Sequence, residues 1–309
     1  MSDFTSNFWP IFITATTLLG IAACLVLLYV TSKTRVHGHG TDDGSTGHVW
    51  DGDLREMNNP LPLWWVGLFV ISIVFSLAYL VLYPGLGRYA GSLGWTQAGQ
   101  YTAEVQAIDT ATAPVYAAFA AMPFAALSRD PQAQAIGERL YMNNCAQCHA
   151  SDARGSKGFP NLSDSDWLHG GTPEKIIETI TLGRNGQMPP IAAAVGSPQD
   201  VKNVANYVMS LSGSPHDSVS AGLGKAKFAV CAACHGADGK GNTALGAPNL
   251  TDGIWLHGYG VNAITEMVNK GKLNQMPAHG SRLTEAQIRV LASYVWAFSN
   301  HPDPATLAQ

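Results

Sequence analysis

The chain has 309 residues, enough for about two domains. Its net charge of −4 offers no electrostatic footprint for nucleic acid or for a polybasic membrane patch. Charged residues make up 13% against 46% apolar, a balance that calls for membrane-embedded segments or unusually well-buried modules.

The first organised stretch runs from Trp9 to Val30 and carries no charged residue, about the 20 positions a membrane helix needs. Ile21-Ala22-Ala23-Cys24 also resembles a lipoprotein cleavage box. Against a signal peptide, the start holds Asp3 with no Lys or Arg, and the apolar run continues past Cys24 through Leu28. An uncleaved transmembrane helix is therefore expected, with Cys24 a small core or lipid-facing residue. A second uncharged run, Leu63 to Tyr83, is also long enough to span. Between them, residues 31–60 hold Lys33, Arg35 and Arg55, which places this loop in the cytoplasm and both chain ends outside. Trp9, Trp64, Trp65, Tyr79 and Tyr83 fall near the run ends, as interfacial aromatic belts do. His37, His39 and His48 sit among Gly neighbours without helical spacing and read as a solvated loop rather than a metal site.

Residues 1–83 thus form an anchor, and 84–131 form a connector, with short helices expected over 96–108 and 114–127. From residue 132 the chain repeats itself. Cys145-Ala146-Gln147-Cys148-His149 returns 86 positions later as Cys231-Ala232-Ala233-Cys234-His235. Pro160-Asn161-Leu162, Trp167-Leu168-His169 and Gln187-Met188-Pro189 each return 88 positions on, so two residues are inserted in a loop of the second unit. The repeat divides the chain into modules over 132–215 and 216–300, with a tail over 301–309. Apolar residues at Val201, Val204, Ala205, Val208, Met209 and again at Ile288, Leu291, Ala292, Val295, Trp296 mark an amphipathic helix closing each unit. Gly137 with Tyr141, and Gly224 with Phe228, mark a helix before each motif that permits close helix contact. These helices resemble the terminal helices of small class I cytochromes c.

C-x-x-C-H is the signature of covalent c-type haem attachment. Two thiols suit the two vinyl groups of one porphyrin, and the following His reaches the iron. Two copies imply two covalently bound haem c groups, joined to Cys145 and Cys148 and to Cys231 and Cys234. A thioredoxin-type pair needs a βαβ context that is missing, and a zinc site explains neither the His after each pair nor the repeated Gln-Met-Pro. The second axial ligand is expected to be Met188 opposite His149 and Met276 opposite His235, 39 and 41 positions after the respective His. Exchange of the two Met loops between the units is the alternative pairing. His169 and His257 keep a bis-His reading open, or serve a haem carboxylate or loop backbone instead. Trp167 and Trp255 read as packing against a haem edge, and the carbonyls of Pro160 and Pro248 as orienting the ligand His rings.

Membrane anchoring, Pro84-Gly85-Leu86-Gly87 leading to Leu93-Gly94-Trp95, the two haem motifs, Pro-Asn-Leu-[Ser/Thr]-Asp and Gln-Met-Pro together resemble the dihaem P subunits of cbb3-type (C-family) haem-copper cytochrome c oxidases, over about residues 60–300. The helix at 9–30 departs from the many members with one membrane helix. The resemblance implies an electron relay in aerobic respiration. It implies a soluble cytochrome c as donor and a monohaem cytochrome c subunit as acceptor. A catalytic haem-copper oxidase subunit would then reduce oxygen while protons are pumped. It also implies a bacterial inner membrane with lipid around the anchor and periplasmic haem modules. No catalytic residue is expected in this chain, because both irons are closed. The fold expected is all-α: two transmembrane helices followed by two tandem class I cytochrome c domains. The rivals are a free-standing dihaem peroxidase, which needs an open iron, a membrane cytochrome serving a dehydrogenase, and a gas sensor, for which no output domain is visible.

Overall fold

The computed structural model describes residues 4–33, 45–57 and 60–300; His37, His39 and the 301–309 tail lie outside them. It divides into two compact units, residues 1–111 and 112–309.

In the first unit, α1 (Phe8–Lys33) and α2 (Leu63–Leu82) form where the sequence is continuously apolar. Both are long and apolar enough to cross a membrane, and few of their side chains are covered by protein. Their hydroxyls donate back to the helix: Thr14, Thr16 and Thr31 to the carbonyls of Pro10, Phe12 and Leu27, and Ser76 to that of Ser72. That arrangement satisfies polar groups where no water is available. Between the helices, β1 (Ser45–Trp50) and β2 (Leu54–Met57) make an antiparallel pair. His48 therefore lies on a strand rather than in the expected loop, exposed, with Nδ1 3.3 Å from Glu56.

The connector departs from expectation. One helix, α3 (Gln97–Ala121), replaces the two short ones and runs through Pro114, followed by the single turn α4 (Phe124–Leu127). Pro114 removes one backbone donor, a loss that the Ala-rich flanks, strong helix formers, absorb.

In the second unit the elements are α5 (Pro131–Asn144), α6 (Ala146–His149), α7 (Pro173–Leu182), β3 (Arg184–Met188), α8 (Ala192–Val195), α9 (Pro198–Leu211), α10 (Ser218–Lys225), a 3₁₀ turn (Ala226–Phe228), α11 (Ala229–His235), α12 (Val261–Lys270), β4 (Lys272–Met276) and α13 (Glu285–Asn300). The chain is mostly helical rather than all-α, because β3 and β4 pair antiparallel with Gly186 opposite Asn274. Helix starts follow their caps: Asp130 accepts from the Ala133 N–H, Ser197 and Asp200 form a reciprocal capping box, and Asp217 accepts from the Ser220 N–H.

Helix packing crosses between the repeats. α10 lies against α9, and α5 lies against α13, so each N-terminal helix packs on the closing helix of the other repeat. Glycine permits both crossings. A Cβ on Gly137 would stand 2.6 Å from Tyr294 Cβ, and one on Gly224 would run into the Asn203 carbonyl. Two apolar cores flank these crossings, beside a third of Phe119, Leu127, Ala133 and Val290 among the described residues. One gathers Tyr141, Ile176, Ile180, Ile288, Leu291 and Val295; the other gathers Val195, Val201, Val204, Val208, Phe228 and Val268. The boundary at 215/216 separates the repeats in sequence, yet each core draws residues from both sides of it.

Candidate haem-attachment sites

Each attachment motif sits on a short helix at the edge of a core. Cys145 packs against the first core and Cys231 belongs to the second, whereas Cys148 and Cys234 are exposed, and all four are free thiols. Burial pushes the Cys145 thiol up to about 11, with the Cys148 thiolate adding to it, and burial raises Cys231 in the same way. These thiols stay protonated at neutral pH.

The motif histidines, His149 and His235, are 8% and 9% exposed, and one ring nitrogen of each is already used. Nδ1 of His149 lies 2.9 Å from the Pro160 carbonyl, and Nδ1 of His235 lies 3.0 Å from the Pro248 carbonyl. Nδ1–H therefore donates to each carbonyl, which fixes the tautomer and leaves Nε2 for a metal. Burial lowers the His149 pKa against the opposing bond to Pro160, favouring the neutral, ligating imidazole. The turn supplying each carbonyl is self-braced. Asn161 Oδ1 accepts from the backbone N–H and the hydroxyl of Ser163, and Asn249 Oδ1 does the same for Thr251. The Leu162 N–H donates to Ala153 O and the Leu250 N–H to Gly239 O, tying each turn to the loop after the haem motif. Tyr141, fully buried, donates to the Ala150 carbonyl at 2.7 Å, fixing the end of α6.

The methionines are brought to the opposite motifs. Met276 packs into the core that holds Cys145, and Met188 into the core that holds Cys231. This differs from the simpler within-repeat pairing. The β3–β4 ribbon makes the exchange: Arg184 stands opposite Met276 and Met188 opposite Lys272. Alternation along paired strands puts Arg184, Gly186 and Met188 on one face with Met276, Asn274 and Lys272. Both thioethers thus leave the same face of a five-residue ribbon, near its two ends.

The other repeated polar groups are engaged elsewhere. Asn274 Nδ2 donates to His257 Nε2 at 2.8 Å, and the ring of His169 lies against Gly246. His169 and His257 both have lowered pKa values, first through burial and then through nearby Arg184 and Lys272 respectively. Trp167 and Trp255 pack in the first and second cores. Sequence reading passed over Arg184 and Asn274; the available signal was a basic residue, Arg184 and Lys272, at the same place in both repeats. Among the described residues, no group of three or more His, Cys, Asp or Glu is arranged to hold a metal ion.

Paired thiols that are not joined, a tautomer-fixed His and a thioether in the same core fit a covalently attached haem. The fold and sites define a c-type cytochrome. Comparison with known proteins narrows this class. Residues 42–90 match the family described as the N-terminal domain of cytochrome oxidase-cbb3, FixP. Residues 132–208 and 224–295 match the family of cytochrome c oxidase, cbb3-type, subunit III. The chain is 59% identical to the cbb3-type cytochrome c oxidase subunit CcoP of Rubrivivax gelatinosus, over 97% of each chain. It is 40% identical to the FixP subunit of Azorhizobium caulinodans over 81% of this chain and 91% of that one. It is 38% identical to the CcoP subunit of Cereibacter sphaeroides over 81% of this chain and 93% of that one. The chain belongs to the CcoP/FixP family of cbb3-type cytochrome c oxidase subunits. The 299 residues matched to the Rubrivivax relative take in most of the α1 segment.

Proposed function

We propose that this chain carries two covalent haem c groups and passes electrons from a soluble cytochrome c, through a monohaem cytochrome c subunit, towards the oxygen-reducing haem-copper subunit of a cbb3-type oxidase. One haem would be joined to Cys145 and Cys148 and its iron held by His149 and Met276. The other would be joined to Cys231 and Cys234 and its iron held by His235 and Met188. Lys33, Arg35 and Arg55 set the loop between α1 and α2 in the cytoplasm and the haem-bearing unit on the periplasmic side. The observation that carries this reading is that each core bringing a C-x-x-C-H motif to a Pro-held His also receives a Met.

When bound, each haem supplies a one-electron couple whose potential is raised by His/Met ligation relative to two His ligands. The protein's part is to hold the ligands still. The Pro160 and Pro248 carbonyls fix the imidazole rings, the ribbon fixes both thioethers, and α5, α9, α10 and α13 keep the cores from relaxing as charge changes. With a Met presented to each motif, neither site leaves a position for peroxide or oxygen, so chemistry on oxygen belongs to a partner subunit.

The test is near-infrared absorption of the ferric full-length chain, where a methionine–iron bond gives a charge-transfer band. The band is expected from both haems. With Cys145 and Cys148 changed to Ala, the remaining band should disappear on Met188→Ala and survive Met276→Ala. The reverse result would restore within-repeat pairing, and absence of any such band would overturn methionine ligation.

A further inference from the structure

Haem carries two carboxylate side chains, and a buried N–H donor left without a protein partner beside an attachment motif is suited to receive one. Among the described residues, Arg184 Nη2, across the ribbon from Met276, and Trp255 Nε1, in the core of Cys231, are buried N–H donors with no partner in the protein. Leaving such a donor unsatisfied is unfavourable, more so when it is charged.

Arg184 is held in place from α7. Its Nε donates to Thr179 Oγ1 at 2.9 Å and its Nη1 to Glu178 Oε1 at 2.8 Å. The third nitrogen is the buried one, and the residue stands directly across the ribbon from Met276, on the face that carries both thioethers. The guanidinium is therefore fixed by two of its nitrogens beside the core of Cys145 and offers the remaining one inward. Trp255 packs in the other core, with Cys231 and Met188, and its indole N–H is likewise buried. The equivalent positions in the repeats do not do the same. Lys272, the counterpart of Arg184, is exposed, and Trp167, the counterpart of Trp255, lies with its indole edge against Gly171. The donors thus come from different places in two otherwise matching units.

We infer that Arg184 and Trp255 are the anchors for haem carboxylates, Arg184 for the haem on Cys145 and Trp255 for the haem on Cys231. This rests on the haem-attachment reading above. A carboxylate held by a fixed cation or N–H donor contributes less negative potential at the iron. Each anchor therefore favours the reduced state of its own haem. One haem is held by a charge-assisted bond and the other by a neutral one, so the two differ in how strongly the protein sets their potentials.

The experiment is spectroelectrochemical titration of the full-length chain in detergent, with attached haem counted for each preparation. Arg184→Gln is expected to lower the potential of one haem component and Trp255→Phe that of the other, with two haems still attached in each. Arg184→Lys, which keeps the charge but loses the fork, should lower the first component by less than Gln does, and it stands in if the Gln variant does not accumulate. Unmoved potentials with both haems attached, or the same component moving in both variants, would overturn the inference. A parent chain without two attached haems would instead count against the haem-attachment reading itself.

Discussion

Two carboxylates of the first repeat, Asp164 and Asp166, feel the charge of a third from the second, Asp252. Burial raises the pKa of Asp164 and Asp166, and the Asp252 charge from the other repeat raises both further. Asp252 is not idle: its Oδ1 accepts from the Ile254 N–H at 3.0 Å, as Asp164 Oδ1 does from Asp166 at the matching place. A carboxyl whose pKa is higher folded than unfolded binds its proton more tightly in the native state. It therefore costs nothing at low pH, and stability is lost as pH rises through the unfolded value and then the folded one. At neutral pH the full cost is present. Asp252→Asn keeps the acceptor for Ile254 and removes the charge. The variant should melt above the parent at pH 7, by no more than about 1 kcal/mol because the groups are partly solvated. The gain should close at acid pH, as Asp164 and Asp166 take up their protons and the repulsion disappears. Equal melting temperatures at pH 7, measured by thermal unfolding of the detergent-solubilised chain, would show the charge to be screened out.

At the scale of elements, the local rules were legible and the partners were not. The amphipathic spacing of 201–209 and 288–296 marks α9 and α13, and the Gly-aromatic pairs mark helices that pack closely. Both hold in the structure, where Tyr141 and Phe228 are buried at the crossings. Which helix meets which could not be read, because α9 and α13 present the same pattern in repeated sequence and either complements either glycine face. Chain connectivity decides it. Only residues 212–217 separate α9 from α10, so α10 folds straight back onto α9, leaving α13 for α5. The ribbon that exchanges the methionines was invisible for a related reason: five residues of Arg-Asn-Gly-Gln-Met carry no strand signature until a second copy lies alongside. Glycine substitutions in α10 test the crossing. Gly224→Ala should destabilise the chain by about 1–3 kcal/mol, since the added methyl meets backbone that cannot turn aside. Gly222→Ala, two residues away with nothing within 4 Å, should be neutral or stabilising by up to about 1 kcal/mol. Chemical denaturation of the two variants side by side separates a packing effect from helix propensity, and similar values for both would deny the close approach.

At the scale of the whole chain, interleaving changes what counts as a foldable piece. Each half carries a complete haem motif, a Pro-Asn-Leu turn and a Met, which read in isolation promises two independent cytochromes. The cores do not divide that way. α5 with Tyr141 and Ile176 and Ile180 of α7 are covered by Ile288, Leu291 and Val295 from the last helix, so residues 112–215 alone would expose the surface that α13 shields. The same fragment would lose Met276 from its attachment site while keeping Met188, whose core includes Cys231 and Val268 of the missing half. Removing several buried aliphatic side chains at about 1.5–3 kcal/mol each exceeds the stability of an ordinary small domain. A fragment ending at residue 215 should therefore be protease-sensitive and lack cooperative unfolding, whereas residues 112–309 should unfold as one cooperative unit. A fragment of 112–215 that melted cooperatively with a methionine-ligated haem spectrum would show that Met188 can close its own repeat, and that the crossing of helices is dispensable for building the site.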